Sequence, residues 1–340
     1  MLRYLTAGES HGTCLSGIIE GFPAGVKITP AYIAAQLRRR RLAPGRSARQ
    51  TAETDAFDIT AGMSGGVTTG APIALIIKNI SREVPPPSSL PRPGHADLAG
   101  MLKYDTLNAA LIRERASARE TAMKTALGCF ARRLNELLGI SVISRVISVG
   151  GAIGLAIDKA PAALRRARRE GDTLGGEFEL VFENVPAGLG SCAQADRKLG
   201  PRLGSALLGI NGVKGFEIGG GFVLAAMGGK TVLRDPELSG GLDGGMTNGR
   251  RLVLRCAVKP VPGLPGGAIS TDLKSLRKKL SISKTSDTTA VYAAAVVAEH
   301  AASLELANAL LEKFGGDSLK EMRPRVEEWR KRTRRILQRL

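Results

Sequence analysis

Two histidines sit in similar settings near the start of the chain. His11 lies in Gly8-Glu9-Ser10-His11-Gly12, and His95 lies in Arg92-Pro93-Gly94-His95-Ala96-Asp97. Each follows a glycine closely and has a carboxylate beside it, in a chain that holds only three histidines. Histidine is the side chain whose unperturbed pKa lies nearest neutrality, so the pair suits proton donation and acceptance. The plainer alternative for each is a polar turn carrying a structural histidine.

Arginines supply the complementary chemistry. Six of them, Arg38 to Arg41, Arg46 and Arg49, fall within twelve positions. Four in a row suit a helix C-terminus through the macrodipole. Arg46 and Arg49 continue past Pro44-Gly45, beyond such a helix, where guanidinium forks on a turn suit carboxylates and phosphates. Residues 113–121, RERASARET, offer Arg115, the Ser117 hydroxyl and a helix start, a generic anion site. Residues 239–249, SGGLDGGMTNG, are dense enough in glycine to press a loop against a flat or phosphorylated ligand. No phosphate-loop or dinucleotide fingerprint occurs.

The formal net charge of +18 fits nucleic acid, a membrane surface or a strongly anionic small substrate. A basic nucleic-acid protein more often interleaves aromatic side chains with its arginines, and none lies within 38–49. The longest apolar run, Ala290–Ala298, is too short for a membrane span. No signal peptide is visible, and four scattered cysteines support neither zinc nor a disulfide framework, so a reducing cytoplasm is expected.

The elements that must position these groups follow from patterning. Residues 1–12 read as a first strand running into the His11 turn. Further strands are expected at 14–20, 72–78, 142–149, 178–183 and 252–258. Thr29 and Pro30 begin a helix that ends in the arginine run. Ser117 and Glu120 have the spacing of a capping box for a helix ending at Gly139. Residues 287–314 are apolar nearly all round, as in a helix buried between layers. A basic amphipathic helix at about 318–338, with a solvated face, closes the chain. The proline-rich 81–94 reads as a stiff loop presenting His95. Strands and helices mix without a regular parallel rhythm, so the expected class is a layered α+β fold, one domain spanning 1–340.

Seven motifs occur in the order seen in chorismate synthases: GESHG, RPGHAD, ERASARETA, PAGLG, NGVKGFEIGGGF, SGGLDGGMTNG and KPVP. They span nearly the whole chain; FGGDSL near its end resembles a bacterial branch, and the chain is identified as a member of that family. The resemblance implies a helical layer between two antiparallel sheets, and a homotetramer. It implies the last step of the shikimate pathway, a 1,4-anti elimination of phosphate and the C6 proton from 5-enolpyruvylshikimate 3-phosphate. Reduced FMN is required without net redox change, with NADPH or an external donor as reductant. The same scaffold would also suit an FMN-dependent oxidoreductase.

Roles follow from the same resemblance. His11 resembles the histidine that protonates the departing phosphate, His95 the one that keeps the charge state of the reduced flavin, and Asp287 the acid that takes the C6 proton. Arg115, Ala116, Ser117, Asn211, Gly212, Gly244, Lys259, Pro260, Val261, Pro262, Gly263 and Thr285 fall at flavin contacts. Arg40, Arg46 and Arg49 fall near the substrate or pyridine nucleotide. The chain departs from the pattern in four places. Thr285, preceded by Lys284, stands where an arginine is typical, and Gly263 where a hydroxyl is common. Cys192 and Ala193 replace bulkier residues. His300 falls in a usually apolar helix and reads as structural or surface.

Overall fold

A computed structural model describes residues 1–153, 159–283 and 286–337. Strands Arg3–Gly8, Cys14–Glu20, Phe57–Ala61 and Ile73–Lys78 form one antiparallel sheet, in the spatial order 3–8, 14–20, 73–78, 57–61. Alternation sends Leu15, Ile19, Ile73, Leu75 and Ile77 inward. The second antiparallel sheet orders Val213–Ile218, Leu252–Val258, Gly176–Glu183, Ser141–Val149 and Ala152–Ile153. Its inward side chains include Phe178, Leu180, Phe182, Leu252 and Leu254.

Helices fill the space between the sheets. Helix Thr121–Leu137 packs on the first sheet so closely that a Cβ at Gly17 would stand 2.6 Å from the Met123 sulfur. Helix Val291–Phe314 lies against the second sheet and against 121–137. At their crossing, a Cβ on Gly128 would stand 2.5 Å from His300 Cβ and 2.8 Å from its carbonyl oxygen. Helix Pro30–Arg41 packs on both. The α+β expectation, with a helical layer between two antiparallel sheets, is therefore met. Helix 291–314 is long and apolar enough to cross a membrane by composition, but its length is taken up inside this sandwich.

Several details differ from the sequence reading. Strands 57–61 and 213–218 were not expected. Each is an edge strand, half exposed, and lacks the continuous apolar run of an inner strand. The apolar helix begins at Val291, not at 287, so Asp287 lies in the extended segment before it, with Thr289 Oγ1 accepting from Val291 N. Ser117 does cap, accepting from Arg119 N at 3.3 Å, but Glu120 accepts from the Thr6 hydroxyl instead of closing the box. A short 3₁₀ turn, Ala118–Glu120, therefore precedes the α-helix.

His300 is fully buried, which removes the surface reading. Its Nδ1–H donates to Val296 O at 2.7 Å, and burial pushes its pKa down to about 4. Beside it, buried Glu299 accepts two bonds from Arg39 at 2.7 and 2.8 Å, one from Arg132 and one from Ser144. Burial alone would raise the Glu299 pKa; these partners outweigh it and hold it below the usual carboxylate value. The C-terminal helix, Leu319–Leu337, docks through buried Met322 and Val326. Trp329 donates to Ala187 O at 2.8 Å, with Lys313 and Arg332 over its ring, so PAGLG serves partly as a seat for this helix.

Candidate active site

Gly8 ends the first strand at φ +111°, and a Cβ there would stand 2.4 Å from Cys14 O. Only glycine closes this turn. Its loop projects His11 and is pinned from below by Asn79, whose amide donates to Glu9 O and Gly12 O, both at 2.9 Å. Asn79 Oδ1 accepts from Arg119 Nε at 2.9 Å. Arg119 in turn pairs with Asp55 and Glu53, and Asp55 pairs with Arg40 at 3.3 Å. This buried ion cluster is the floor beneath the loop.

Glu114, near the end of helix Ala109–Ala116, reaches His11 twice. Its Oε2 accepts from His11 N at 2.7 Å and its Oε1 from Nδ1 at 2.6 Å. Both side chains are largely buried. Arg115, the next residue, turns back to Thr6 O, the Thr6 hydroxyl and Gly8 O. Ala116 O accepts from Asn211 Nδ2 at 3.1 Å, and Gly212 O accepts from Lys259 N at 2.9 Å. Lys259 Nζ then donates to Gly94 O at 2.6 Å, next to His95.

His95 thus stands against the 259–263 segment. Gly94 packs on Pro262, and a Cβ on Gly263 would stand 3.6 Å from His95 Nε2 and 3.0 Å from Ser283 Oγ. Ser283 therefore brings a hydroxyl to the place where Gly263 lacks one. Nε2 of His95 is buried and has no hydrogen-bond partner among the described residues. Burial, then the Arg92 guanidinium, push its pKa down to about 4, with Lys259 and Arg113 acting in the same direction. Asp97 opposes them, but it serves Arg92 and Arg113 and makes no bond to the imidazole. The stiff loop before His95 is held by Ser270, which donates to Pro91 O, and by Leu273, which donates to Ser89 O.

The same segment leads to Asp287. Val261 O accepts from the Thr173 hydroxyl, Leu174 N donates to Thr288 O, and Thr288 N donates to Gly45 O. Asp287 accepts from Arg46 at 2.5 Å and from Ser47 N at 2.7 Å. Residues far apart in sequence thus form one closed ring of contacts, from His11 through His95 and Asp287 to helix 30–41 and back through Arg40, Asp55, Arg119 and Asn79.

Not every expected residue faces that ring. Arg40 is 1% exposed and committed to Asp55 and Thr121, with burial pulling its pKa down to about 10. It is a strut under the loop, which corrects its placement on the substrate. Gly244 sits elsewhere, in the tight hairpin formed by Leu242–Asp243 and Met246–Thr247, braced by Leu199 and Leu189. Arg49 lies on the short helix Ala48–Ala52, and Thr285 lies outside the described residues, as does Lys284. Glu114 and Asn79 were missed by the sequence reading. Glu114 is visible inside ERASARETA, but nothing in local spacing ties it to a histidine 103 positions away. A groove of about 590 Å³ lies between helices 30–41 and 291–314, lined by Arg38, Leu42, Pro44, Tyr292 and Val296 among others, and includes none of the ring's titratable groups.

Comparison with known proteins matches this arrangement. A chorismate synthase family model covers residues 2–311. The chain is 42% identical to the chorismate synthase of Mycolicibacterium smegmatis, over 97% of this chain and 96% of that one. It is 43% identical to that of Caldanaerobacter subterraneus subsp. tengcongensis, over 95% and 96%. A crystal structure of chorismate synthase superposes with a TM-score of 0.79 at 33% identity, over 96% of this chain and 97% of the other. Fold, site motifs and overall similarity agree along almost the whole length, and the chain belongs to the chorismate synthase family, whose members are lyases.

Proposed function

We propose that this chain converts 5-enolpyruvylshikimate 3-phosphate into chorismate and phosphate at the ring bounded by His11, His95 and Asp287. The observation that carries the reading is that His11, held by Glu114, Asp287, held by Arg46, and His95, with its Nε2 open, are linked by one continuous set of contacts that includes several basic groups. Phosphate departs from C3 as the proton leaves C6, so the site needs an acid for one and a base for the other. His11 is the acid: with Nδ1 held by Glu114, its Nε2 proton goes to a phosphate oxygen as the C3–O bond breaks. Asp287 is the base for C6. Arg46, now on Asp287, is the guanidinium that turns to a substrate carboxylate or phosphate and frees Asp287. Arg49, on helix Ala48–Ala52, is a further candidate for the same substrate.

The residues fit reduced FMN. The unpartnered Nε2 of His95, ringed by Lys259, Arg92 and Arg113, suits an anionic group that accepts or donates hydrogen bonds. Lys259 joins Gly94, beside His95, to Gly212, and Asn211 joins the same segment to Ala116; with Arg115, Ser117 and the rest of 259–263 these are the proposed flavin contacts. When bound, reduced FMN supplies a transiently donated electron that is returned within the turnover. The protein's part is to hold the ligands in register, keep His95 next to the flavin and place His11 and Asp287 on the two departing groups. NADPH is one reductant for the flavin; an external donor is the other. The four free cysteines fit the cytoplasm, and exposed Leu5 and Ile143 on the outer sheet faces fit a homotetramer.

The test is anaerobic. Purified protein with chemically reduced FMN and substrate is expected to release phosphate, and His11→Ala to lower turnover by about 10²–10⁴, the scale of a general acid. NADH- or NADPH-dependent reduction of an added acceptor with no phosphate release would favour the oxidoreductase instead.

A further inference from the structure

We propose that Glu114 is the positioning residue of His11: it fixes the tautomer and direction of the imidazole. This rests on His11 being the proton donor of the reaction proposed above. The argument begins with the clamp. One carboxylate takes both N–H groups of a single residue, the backbone N–H on Oε2 at 2.7 Å and Nδ1–H on Oε1 at 2.6 Å. Ser10 N adds a third link, to Glu114 O at 3.0 Å. Backbone and ring of His11 are therefore fixed against helix 109–116 together. With Nδ1 engaged, Nε2 is the one ring nitrogen left for a ligand.

The choice of a carboxylate has a chemical consequence. A backbone N–H alone could be satisfied by a neutral amide or a hydroxyl. Accepting the two N–H groups on two separate oxygens needs a carboxylate. Nδ1–H stays on Glu114 while Nε2–H points to the substrate. On proton transfer, Nε2 loses its proton to the phosphate oxygen and Nδ1 keeps its own, so Glu114 never takes the proton. The charged groups nearby are few. Glu9, on the same loop, lies over Gly12. Arg115 clasps Gly8 and Thr6, and Arg119 acts only through Asn79.

Glu114→Gln tests this without changing shape. An amide puts an NH2 donor where one of the two carboxylate oxygens stood, so in the same pose one His11 N–H loses its acceptor and the ring must turn or change tautomer. Expected at neutral pH is a loss of about 10- to 10³-fold in kcat, the scale of one adjacent opposite charge, with KM changed far less. Glu114→Asp, which keeps the charge, is expected to recover part of kcat, and circular dichroism checks that each variant folds. The cycle with His11 separates the outcomes: in a His11→Ala background, Glu114→Gln is expected to cost almost nothing more. A Glu114→Gln enzyme with normal kcat, or an equal further loss in the His11→Ala background, would overturn the positioning role alone. Normal turnover in His11→Ala would overturn the reading of His11 and the role of Glu114 with it.

Discussion

His95 shows how a site is tuned before any ligand arrives. Burial and the guanidinium of Arg92 keep its ring neutral down to about pH 4. Asp97, the carboxylate nearest in sequence, is spent on Arg92 and Arg113 and cannot reverse this. An anion placed beside Nε2 favours the protonated ring and raises its pKa. Between the free value of about 4 and the raised, bound value, the complex holds more protons than the free protein. FMN binding is therefore expected to take up protons below neutrality, and FMN affinity to rise as pH falls through that window. Calorimetry in two buffers of different ionisation enthalpy checks this: the apparent enthalpies should differ for the wild type and converge for His95→Gln. Equal enthalpies in the wild type would mean that His95 does not change its charge on binding. Its candidacy was visible in sequence from the RPGHAD setting, but this electrostatic state was not. It depends on Lys259 and Arg113, which only folding brings near.

The crossing of helices 121–137 and 291–314 makes a different demand. A helical Gly→Ala exchange ordinarily gains about 1 kcal/mol from propensity. At Gly128 the added methyl would stand within 3 Å of His300 Cβ and its backbone, and a backbone cannot swing aside. The clash is expected to win: Gly128→Ala should lower unfolding stability by about 1–3 kcal/mol in urea melts, and an unchanged midpoint would mean that the helices separate freely. His300, on the other side of this contact, is neutral and buried, with its pKa depressed to about 4. An unfolded histidine titrates near 6.5. Between those values the unfolded chain binds the extra proton, so stability is full above about pH 6.5 and falls as pH drops toward 4. His300→Gln, whose amide can still serve Val296 O, is expected to flatten that part of the stability profile; an unaltered slope would place the acid sensitivity elsewhere. Inner strands and buried helices were legible at this scale because their burial writes an apolar run. The edge strands 57–61 and 213–218 were not, since one exposed face and one missing neighbour leave them no such signature. The start of the last core helix was misplaced because periodicity does not distinguish residues before Val291 from those after it.

At the scale of the molecule, the surplus of basic residues needs an account. Several carboxylates are already consumed inside: Asp55 and Glu53 by Arg119, Asp97 by Arg92 and Arg113, Glu299 by Arg39 and Arg132, Glu179 by Arg145 and Arg255. These pairs hold the sandwich and the floor of the ring together, and they contribute little net field at a distance. What remains is a net charge of +18, opposite in sign to a substrate with two carboxylates and a phosphate. Such a field raises capture rates by about 10- to 10³-fold at low salt. Screening shortens its reach from about 10 Å at 0.1 M to about 3 Å at 1 M ionic strength. We therefore expect kcat/KM to fall steeply with ionic strength. The value of kcat at saturating substrate should change little, since the contacts made within the closed complex are short and partly buried. Two salts at matched ionic strength separate the long-range field from competition at the site. Chloride and sulfate should depress kcat/KM alike if screening is responsible, whereas a much larger effect of sulfate would point to occupation of the substrate's phosphate position. A kcat/KM that is flat in both salts would mean that the surplus charge lies away from the ring and serves something other than capture.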